Sequence, residues 1–397
     1  MVNTEKKYKA RPGVTLQVDG KKQFLVSKKL KLMANETTVF FWDCLADWTT
    51  VDEMVAQAME EFDIDDEVAL KADIQRLLST FLRADMVMEE GVSGWLKRVA
   101  ERSYRSFLAP VLSPLFMGVC SLEYHFFNLL WTLKGARKPT AEEVELVRKN
   151  VTFIAKSFER QKMAQGLCRN ISRMYSGVSI IIADDSKEPL KIEGKNVEVV
   201  HLPFNSGLSA GLKAALERVK TPYVFRMDDD ELLTVRSLVH REVAYLESHS
   251  ELDLIGLGYT TAIRCHSPKF FISTYYGQSM NDAIRPLKIP HMTQVDSNHL
   301  VLGKVANIYL ARTEKVREVG FDPNIRMIDH HDFFWRAAGV IASAMAMDTV
   351  VFHRHDPYDR KYFKYRNDYK NDKVYIRKKH RDMMIASKRT SDNVTDK

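Results

Sequence analysis

Apolar and polar positions follow two different rhythms along the chain. In the first ninety or so residues, Val14, Leu16 and Val18 alternate with polar neighbours, and Asp19-Gly20 follows. That pattern predicts a hairpin into Phe24-Leu25-Val26. A helix is predicted around Thr38–Ala46, carrying Phe40, Phe41, Trp42 and Leu45. A second starts at Thr50, which with Glu53 forms a capping box, and its apolar face is Val51, Met54, Val55 and Ala58. A third has Ile74, Leu77, Leu78 and Phe81 at the spacing of a buried stripe, and Met86-Val-Met88 closes the unit as a short strand. From Lys149 the rhythm changes to short apolar runs separated by amphipathic segments: strands at 151–154, 178–183, 197–202 and 223–227, and helices at 167–174 and 209–219. Strands alternating with helices predict an α/β layered domain with a mainly parallel sheet.

Between these regions, residues 91–148 read as a connector. Phe107–Leu122 is almost wholly apolar but is interrupted by Pro110, Ser113 and Pro114, and a second apolar stretch runs to Leu133. A membrane-spanning helix needs about 20 apolar residues, and the prolines break this run. Two readings follow: a buried pair of helices, or a segment lying on a membrane with Lys97, Arg98, Arg102 and Arg105 before it and Lys134, Arg137 and Lys138 after it as basic anchors. Pro139, Thr140 and Glu143 then mark a helix start. The organisation expected is 8–90, a connector at 91–148, an α/β domain at 149–358 and a basic tail at 359–397.

Composition adds bounds. The 397 residues are 45% hydrophobic and 28% charged, as in soluble globular proteins with room for more than one core. Net charge is +7, with much of the excess beyond Arg354; such a tail suits an anionic surface or plain solvent. No nucleic-acid-binding motif accompanies it, so that partner is not expected. Cys44, Cys120, Cys168 and Cys265 are scattered without a Cys-x-x-Cys pair, which argues against a disulfide scaffold or zinc site and for a reducing, cytoplasmic setting. The polar N-terminal residues lack an apolar signal core.

The chemistry concentrates at strand ends. Tyr223–Met227 runs into Asp228, Asp229 and Asp230, and Val178–Ala183 runs into Asp184 and Asp185. Ionised groups away from water require a counter-charge. Mg²⁺ or Mn²⁺, which often bind one or two carboxylates plus a substrate phosphate, would provide it. Asp228 and Asp230 are expected on one side of an extended segment. The carboxyl ends of strands are where open α/β sheets bind ligands. There is no GxxxxGK[ST] string, which disfavours P-loop nucleotide hydrolysis, and no GxGxxG after the first strand.

Five motifs in order carry a family resemblance: Val151–Arg160, Ile180–Ser186, Asn205–Gly211, Asp228–Asp230 and Ile328–Arg336. Residues 149–356 resemble a GT-A (Rossmann-like) glycosyltransferase of family 2, and the last motif is in the form seen in β-1,4-N-acetylgalactosaminyltransferase-like enzymes. The resemblance implies a UDP-sugar donor and a Mn²⁺ or Mg²⁺ ion held most firmly by Asp230, with Asp228 on the ribose or the metal and His353 (or His355) as a third ligand. It implies nucleotide contacts from Asp184 and Asp185, and charges for the donor from Lys156 and Arg160. Leu212 departs from the family string, where Arg is common, and Lys213 is the candidate to replace that charge. The acceptor-side base of an inverting transfer falls among Asp332, Asp329 and His330, with Asp332 favoured because Asp-Phe-Phe anchors the register. Phe333, Phe334 and Trp335 are expected in the core of the following helix.

Met33–Phe40, Asp47–Glu53 and Leu82–Val87 resemble the small winged-helix-type PqqD-like domain, which recognises leader peptides. It implies a peptide or protein acceptor, with β-augmentation near Phe24–Val26 as one mode. Two other readings stay open: a cell-surface glycan or glycolipid acceptor, with peripheral membrane contact through 107–133, and a non-catalytic peptide-binding protein on a degenerate transferase scaffold.

Overall fold

The computed structural model describes residues 6–11, 13–19, 22–26, 31–62, 64, 66–84, 86–89, 109–261, 285–354, 356–359, 362, 364–365 and 370–395. Gly20, Asp85, Lys97, Arg98, Arg102, Arg105, Phe107, Cys265 and His355 lie outside them. The described residues before 90 belong to one compact unit and those from 109 onward to another.

In the first unit, strands β1 (Lys7–Ala10), β5 (Thr49–Thr50) and β6 (Val87–Glu89) form one small sheet, ordered β5-β1-β6. Strands β2 (Thr15–Asp19), β3 (Lys22–Val26) and β4 (Lys31–Ala34) form another. Helices α1 (Glu36–Cys44), α2 (Val51–Glu61) and α3 (Glu67–Arg83) complete it. The capping box of α2 forms as the sequence predicts: the Glu53 amide donates to Thr50 Oγ1 at 3.1 Å, and the Thr50 amide to Glu53 Oε2 at 2.8 Å. Val51, Met54, Val55 and Ala58 are buried, as are Ile74, Leu78 and Phe81 of α3. One expectation is corrected. Phe24–Val26 offers no free edge, because β3 is the central strand, paired to β2 through Leu16↔Leu25 and to β4 through Leu25↔Leu32.

The second unit is built on a mixed sheet ordered β11-β15-β12-β14-β10-β7-β8-β9, with β13 paired to β15. The strands are β7 (Val151–Ser157), β8 (Ser179–Asp184), β9 (Val197–His201), β10 (Tyr223–Arg226), β11 (Glu231–Leu233), β12 (Leu254–Thr261), β13 (His299–Val301), β14 (Tyr309–Arg312) and β15 (Ser343–His353). β7, β8, β9 and β10 are parallel. Their side chains alternate between two cores: Phe153, Ile180, Ile182 and Phe225 face one, while Ile154, Ile181, Ala183 and Val224 face the other. Burial on both faces explains why β7, β8 and β10 read as largely apolar runs, whereas the edge strand β9 is only partly buried and carries Glu198.

Helices α4 (Ala109–Leu133), α5 (Ala141–Asn150), α6 (Gln161–Met174), α7 (Leu208–Arg218), α8 (Val239–Ser248), α9 (Thr313–Val319), α10 (Asp329–Ala337) and α11 (Lys370–Thr395) surround the sheet. The apolar stretch of the connector, from Ala109 to Leu133, is one continuous 25-residue helix, not a proline-broken pair. Pro110 falls in the first turn, where amides have no intrahelical partner, and Pro114 removes a single bond close to the same end. The inner face of α4 packs through Phe116, Cys120, Tyr124, Phe127 and Trp131 onto Leu232, Val235, Val350 and Phe352. Among the described residues, no helix is long and apolar enough to cross a membrane. The basic tail likewise contains a helix, α11, which docks on the domain with Asp372 and Ile376 buried.

Phe225 lies at the centre of the sheet, its ring centroid 4.9 Å from that of Phe153. Phe225→Ala should destabilise the second unit by about 3–5 kcal/mol, measured as a lower denaturant midpoint.

Candidate active site

Arg226 ends β10 two residues after Val224, so its side chain falls on the same sheet face, where α10 packs. The guanidinium is fully buried. Its Nη2 stands 3.5 Å from Asp228 Oδ1 and 3.6 Å from Asp329 Oδ2, and Nη1 donates to the Asn307 carbonyl. One cation therefore joins the acid run after β10 to the first residue of α10.

The run itself is a turn, not the extended segment expected, so Asp228 and Asp230 meet different partners. The Asp228 amide donates to Glu231 Oε2 at 2.8 Å, and the Glu231 amide donates back to the Asp228 carbonyl at 3.2 Å. Arg160, buried at the start of α6, ion-pairs with Asp229 and lies 3.0 Å from Asp230 Oδ2. Its guanidinium sits 3.8 Å from the ring centroid of Tyr362. His353, at the end of β15, reaches Asp230 Oδ1 from Nε2 at 3.4 Å, and the Arg354 amide donates to the Asp230 carbonyl. Burial pushes the Asp229 carboxyl up to about 6 against the pull of Arg160. Burial disfavours the charged form of His353, but Asp230 more than offsets this and raises its pKa.

The second acid pair is held as tightly. Asp184 accepts from Ser186 Oγ at 2.6 Å and from the Leu190 amide at 2.8 Å. Asp185 pairs with Lys156 Nζ at 2.7 Å and accepts from the Gly207 amide at 2.9 Å. Gly207 has φ +103°, and a Cβ there would come within 2.9 Å of the Arg326 Cα, so the position requires glycine. Lys213 is exposed on α7, and the cation beside Asp185 is Lys156. Leu212 is wholly buried in the core beneath the loop.

The motif at 329–332 divides between two environments. Asp329 faces Arg226; its Oδ1 is buried without a hydrogen-bond partner, and burial pushes its pKa up to about 6. His330 is half-buried, and desolvation holds its pKa well below the usual imidazole value. Asp332 faces the other way. Arg336 donates to its Oδ2 at 2.8 Å, while Lys379 and His380 of α11 lie 2.7 and 3.1 Å from Oδ1. Burial would raise the Asp332 pKa, but these cations hold it far below the ordinary carboxylate range. Phe333, Phe334 and Trp335 are buried, and Trp335 stacks on His380 at 3.7 Å.

Sequence reasoning did not single out Arg226, Glu231 or Asp372. Arg226 reads as the polar end of a strand, and only its position two residues before Asp228 hinted at a role. Asp372 gave no signal. Its carboxylate accepts from the backbone amides of Arg326, Met327 and Ile328 at 2.7–3.3 Å, immediately before Asp329. Arg326 in turn accepts the Leu208 amide on its carbonyl at 2.7 Å and donates from its side chain to the Asn205 carbonyl at 2.5 Å. The loop before α10 is thus clamped between the glycine loop and the C-terminal helix.

Among the described residues, no group of three His, Cys, Asp or Glu side chains is gathered as a ready-made metal cluster. The Asp228 and Asp230 carboxylates and the His353 imidazole are donors of the kind Mn²⁺ and Mg²⁺ accept, but here Asp228 is turned to Arg226, and Asp230 to Arg160 and His353. The unpartnered, buried Asp229 Oδ2 leaves further negative charge at the same turn.

Residues 155–279 match the family model for Glycosyl transferase family 2, and residues 29–87 match that for Coenzyme PQQ synthesis protein D (PqqD). Over those stretches the chain is similar to family 2 glycosyltransferases, with a PqqD-like segment before them. It is 35% identical to human Beta-1,4 N-acetylgalactosaminyltransferase 1 over 211 residues, which are 51% of this chain and 38% of that protein. To mouse Beta-1,4 N-acetylgalactosaminyltransferase 2 it is 31% identical over 210 residues, 52% of this chain and 40% of that one. The chain thus spans about two fifths of the relatives it matches. Staphylococcus aureus TarS 1-349 in complex with UDP-GlcNAc overlays 52% of this chain and 58% of its own at 13% identity, and its TM-score of 0.40 carries no argument.

Removing the Asp372 carboxylate strands three backbone donors. Asp372→Ala should cost about 1–3 kcal/mol and accelerate hydrogen exchange at the Met327 and Ile328 amides, with Asp372→Asn milder.

Proposed function

We propose that the second unit transfers a sugar from a UDP-sugar, with inversion, to a peptide or protein acceptor that the PqqD domain recognises. The observation that supports this best is the meeting of five carboxylates (Asp185, Asp228, Asp229, Asp230 and Asp329) with Lys156, Arg160 and Arg226 at the carboxyl edge of the parallel strands. This is the edge where open α/β sheets take ligands. The match to the family 2 model supports the donor class, and that to the PqqD model the acceptor class.

In this reading Asp184 and Asp185 meet the nucleoside, with Lys156 orienting Asp185. Asp228, Asp230 and His353 hold the divalent ion, which when bound neutralises charge on the departing diphosphate. Arg160 keeps Asp229 and Asp230 aligned. Asp329 is the base: its unpartnered oxygen accepts the proton of the acceptor's nucleophilic group. That group's electron pair forms the new bond to the anomeric carbon as the bond to the diphosphate oxygen breaks, and the diphosphate leaves with those electrons. Asp332, neutralised by Arg336 and Lys379 and hydrogen-bonded to His380, keeps α10 and α11 together. Action in a reducing compartment agrees with free Cys44, Cys120 and Cys168.

Two measurements test this. Mn²⁺-dependent UDP-sugar hydrolysis should fall at least about a hundredfold in Asp230→Ala; hydrolysis that ignores the substitution would sink the metal role. The pH profile of transfer separates the base candidates. Asp329 must be ionised to act, and its pKa lies at about 6, so kcat/KM should rise as pH increases through about 6 and then level off. Arg226, Asp228 and His330 face this group, and Arg226→Lys should move the limb. A profile flat between pH 5 and 8 would instead implicate Asp332, whose carboxyl Arg336, Lys379 and His380 hold far below the ordinary range; a limb displaced below 6 would implicate His330, whose pKa burial lowers.

A further inference from the structure

Helix α4 is apolar on two opposite faces. The inner face is consumed by the domain, as described above. The outer face presents Leu115, Val119, Leu122, Phe126, Leu129 and Leu133, which are 46–76% exposed. Their spacings alternate between four and three residues, which places them in one straight stripe about 27 Å long on an α-helix. Soluble surfaces rarely leave so contiguous an apolar strip uncovered. Between Ala109 and Leu133 the acidic and basic residues are Glu123, which is half-buried, and His125, which is exposed.

Exposed basic groups border the stripe. Lys134 and Lys138 are exposed immediately past its C-terminal end. Arg169 and Arg173 are exposed on α6, which lies beside α4: Asn170 Nδ2 donates to the Tyr124 hydroxyl at 2.9 Å. Arg137 is already paired with Glu143. An apolar strip with a basic border complements a surface that is apolar within and anionic at its headgroups. A second copy of the chain would set like charges against each other. The helix does not qualify to cross a bilayer, so its place is along the interface.

We infer that α4 is a membrane-docking helix that lies in the plane of an anionic lipid surface on its Leu115–Leu133 face. This goes beyond the transfer chemistry and does not depend on it. The docking face is tied to the acid turn. The Tyr124 hydroxyl donates to the Leu233 carbonyl at 2.8 Å, and the Val235 amide donates to Asn128 Oδ1 at 2.9 Å. Both anchor the chain directly after Asp228–Asp230.

The test is flotation of the full chain with vesicles of phosphatidylcholine alone and of phosphatidylcholine mixed with phosphatidylglycerol. The wild type should float with the mixed vesicles and release as salt is raised. Leu122→Glu/Phe126→Glu should lower binding at least about tenfold. Lys134→Glu/Lys138→Glu should weaken it by about tenfold and remove the preference for phosphatidylglycerol. Circular dichroism and the thermal midpoint check that each variant folds; Leu115→Gln/Leu133→Gln replaces the first pair if it does not. The inference is overturned if the wild type floats with neither vesicle, or if the stripe variants bind as well as wild type. It is equally overturned if light scattering shows a dimer that the stripe variants split while lipid binding is absent.

Discussion

Charge neutralisation at one turn governs the second unit. Asp228, Asp229, Asp230 and Glu231 are consecutive, and the last three are almost fully buried. Two guanidinium groups make this tolerable. Arg226 arrives from the strand before the turn, and Arg160 from the loop after the first strand. Each comes from a different part of the sheet, so the turn forms only when β7, β10 and β15 are in register. The same contacts bring α10 to the site, because Arg226 divides its attraction between Asp228 and Asp329. Sheet assembly and site assembly are one event.

Much of this could be seen in the sequence. Strands β7, β8 and β10 could be read because both faces are buried and their runs are largely apolar, and β9 because its valines recur beside them. The capping boxes at Thr50 and Thr140 form with the partners their spacing implies. What could not be read was long-range. β12 contains Gly256 and Gly258, which weaken a strand's signature. The structure shows the reason for Gly256: a Cβ there would lie 2.5 Å from Val305 Cβ. The antiparallel strands β13 and β14 are short, and their pairing depends on partners far away in the chain. The acid triplet correctly signalled a need for a counter-charge. That the protein itself supplies two guanidinium groups was not foreseeable, because Arg160 and Arg226 meet the acids only in three dimensions.

The two ends of the second unit were the least legible and prove to be structural. α4 looked fractured by prolines, yet both fall where a helix tolerates them. α11 looked like a charged tail, yet it anchors Asp332 through Lys379 and His380 and caps a loop through Asp372. In a basic, polar segment, a single buried Asp at its start and the stacking of His380 on Trp335 decide its place.

The clamp through Arg326 carries a consequence of its own. Its carbonyl receives the Leu208 amide, its side chain reaches Asn205, and its own amide is held by Asp372. The loop that surrounds Asp185 and the loop that leads into Asp329 are therefore a single mechanical piece. A displacement of the loop around Asp185 would therefore reach Asp329 through backbone hydrogen bonds. Movement of one loop and alignment of the other would be one displacement, braced against the C-terminal helix through Asp372.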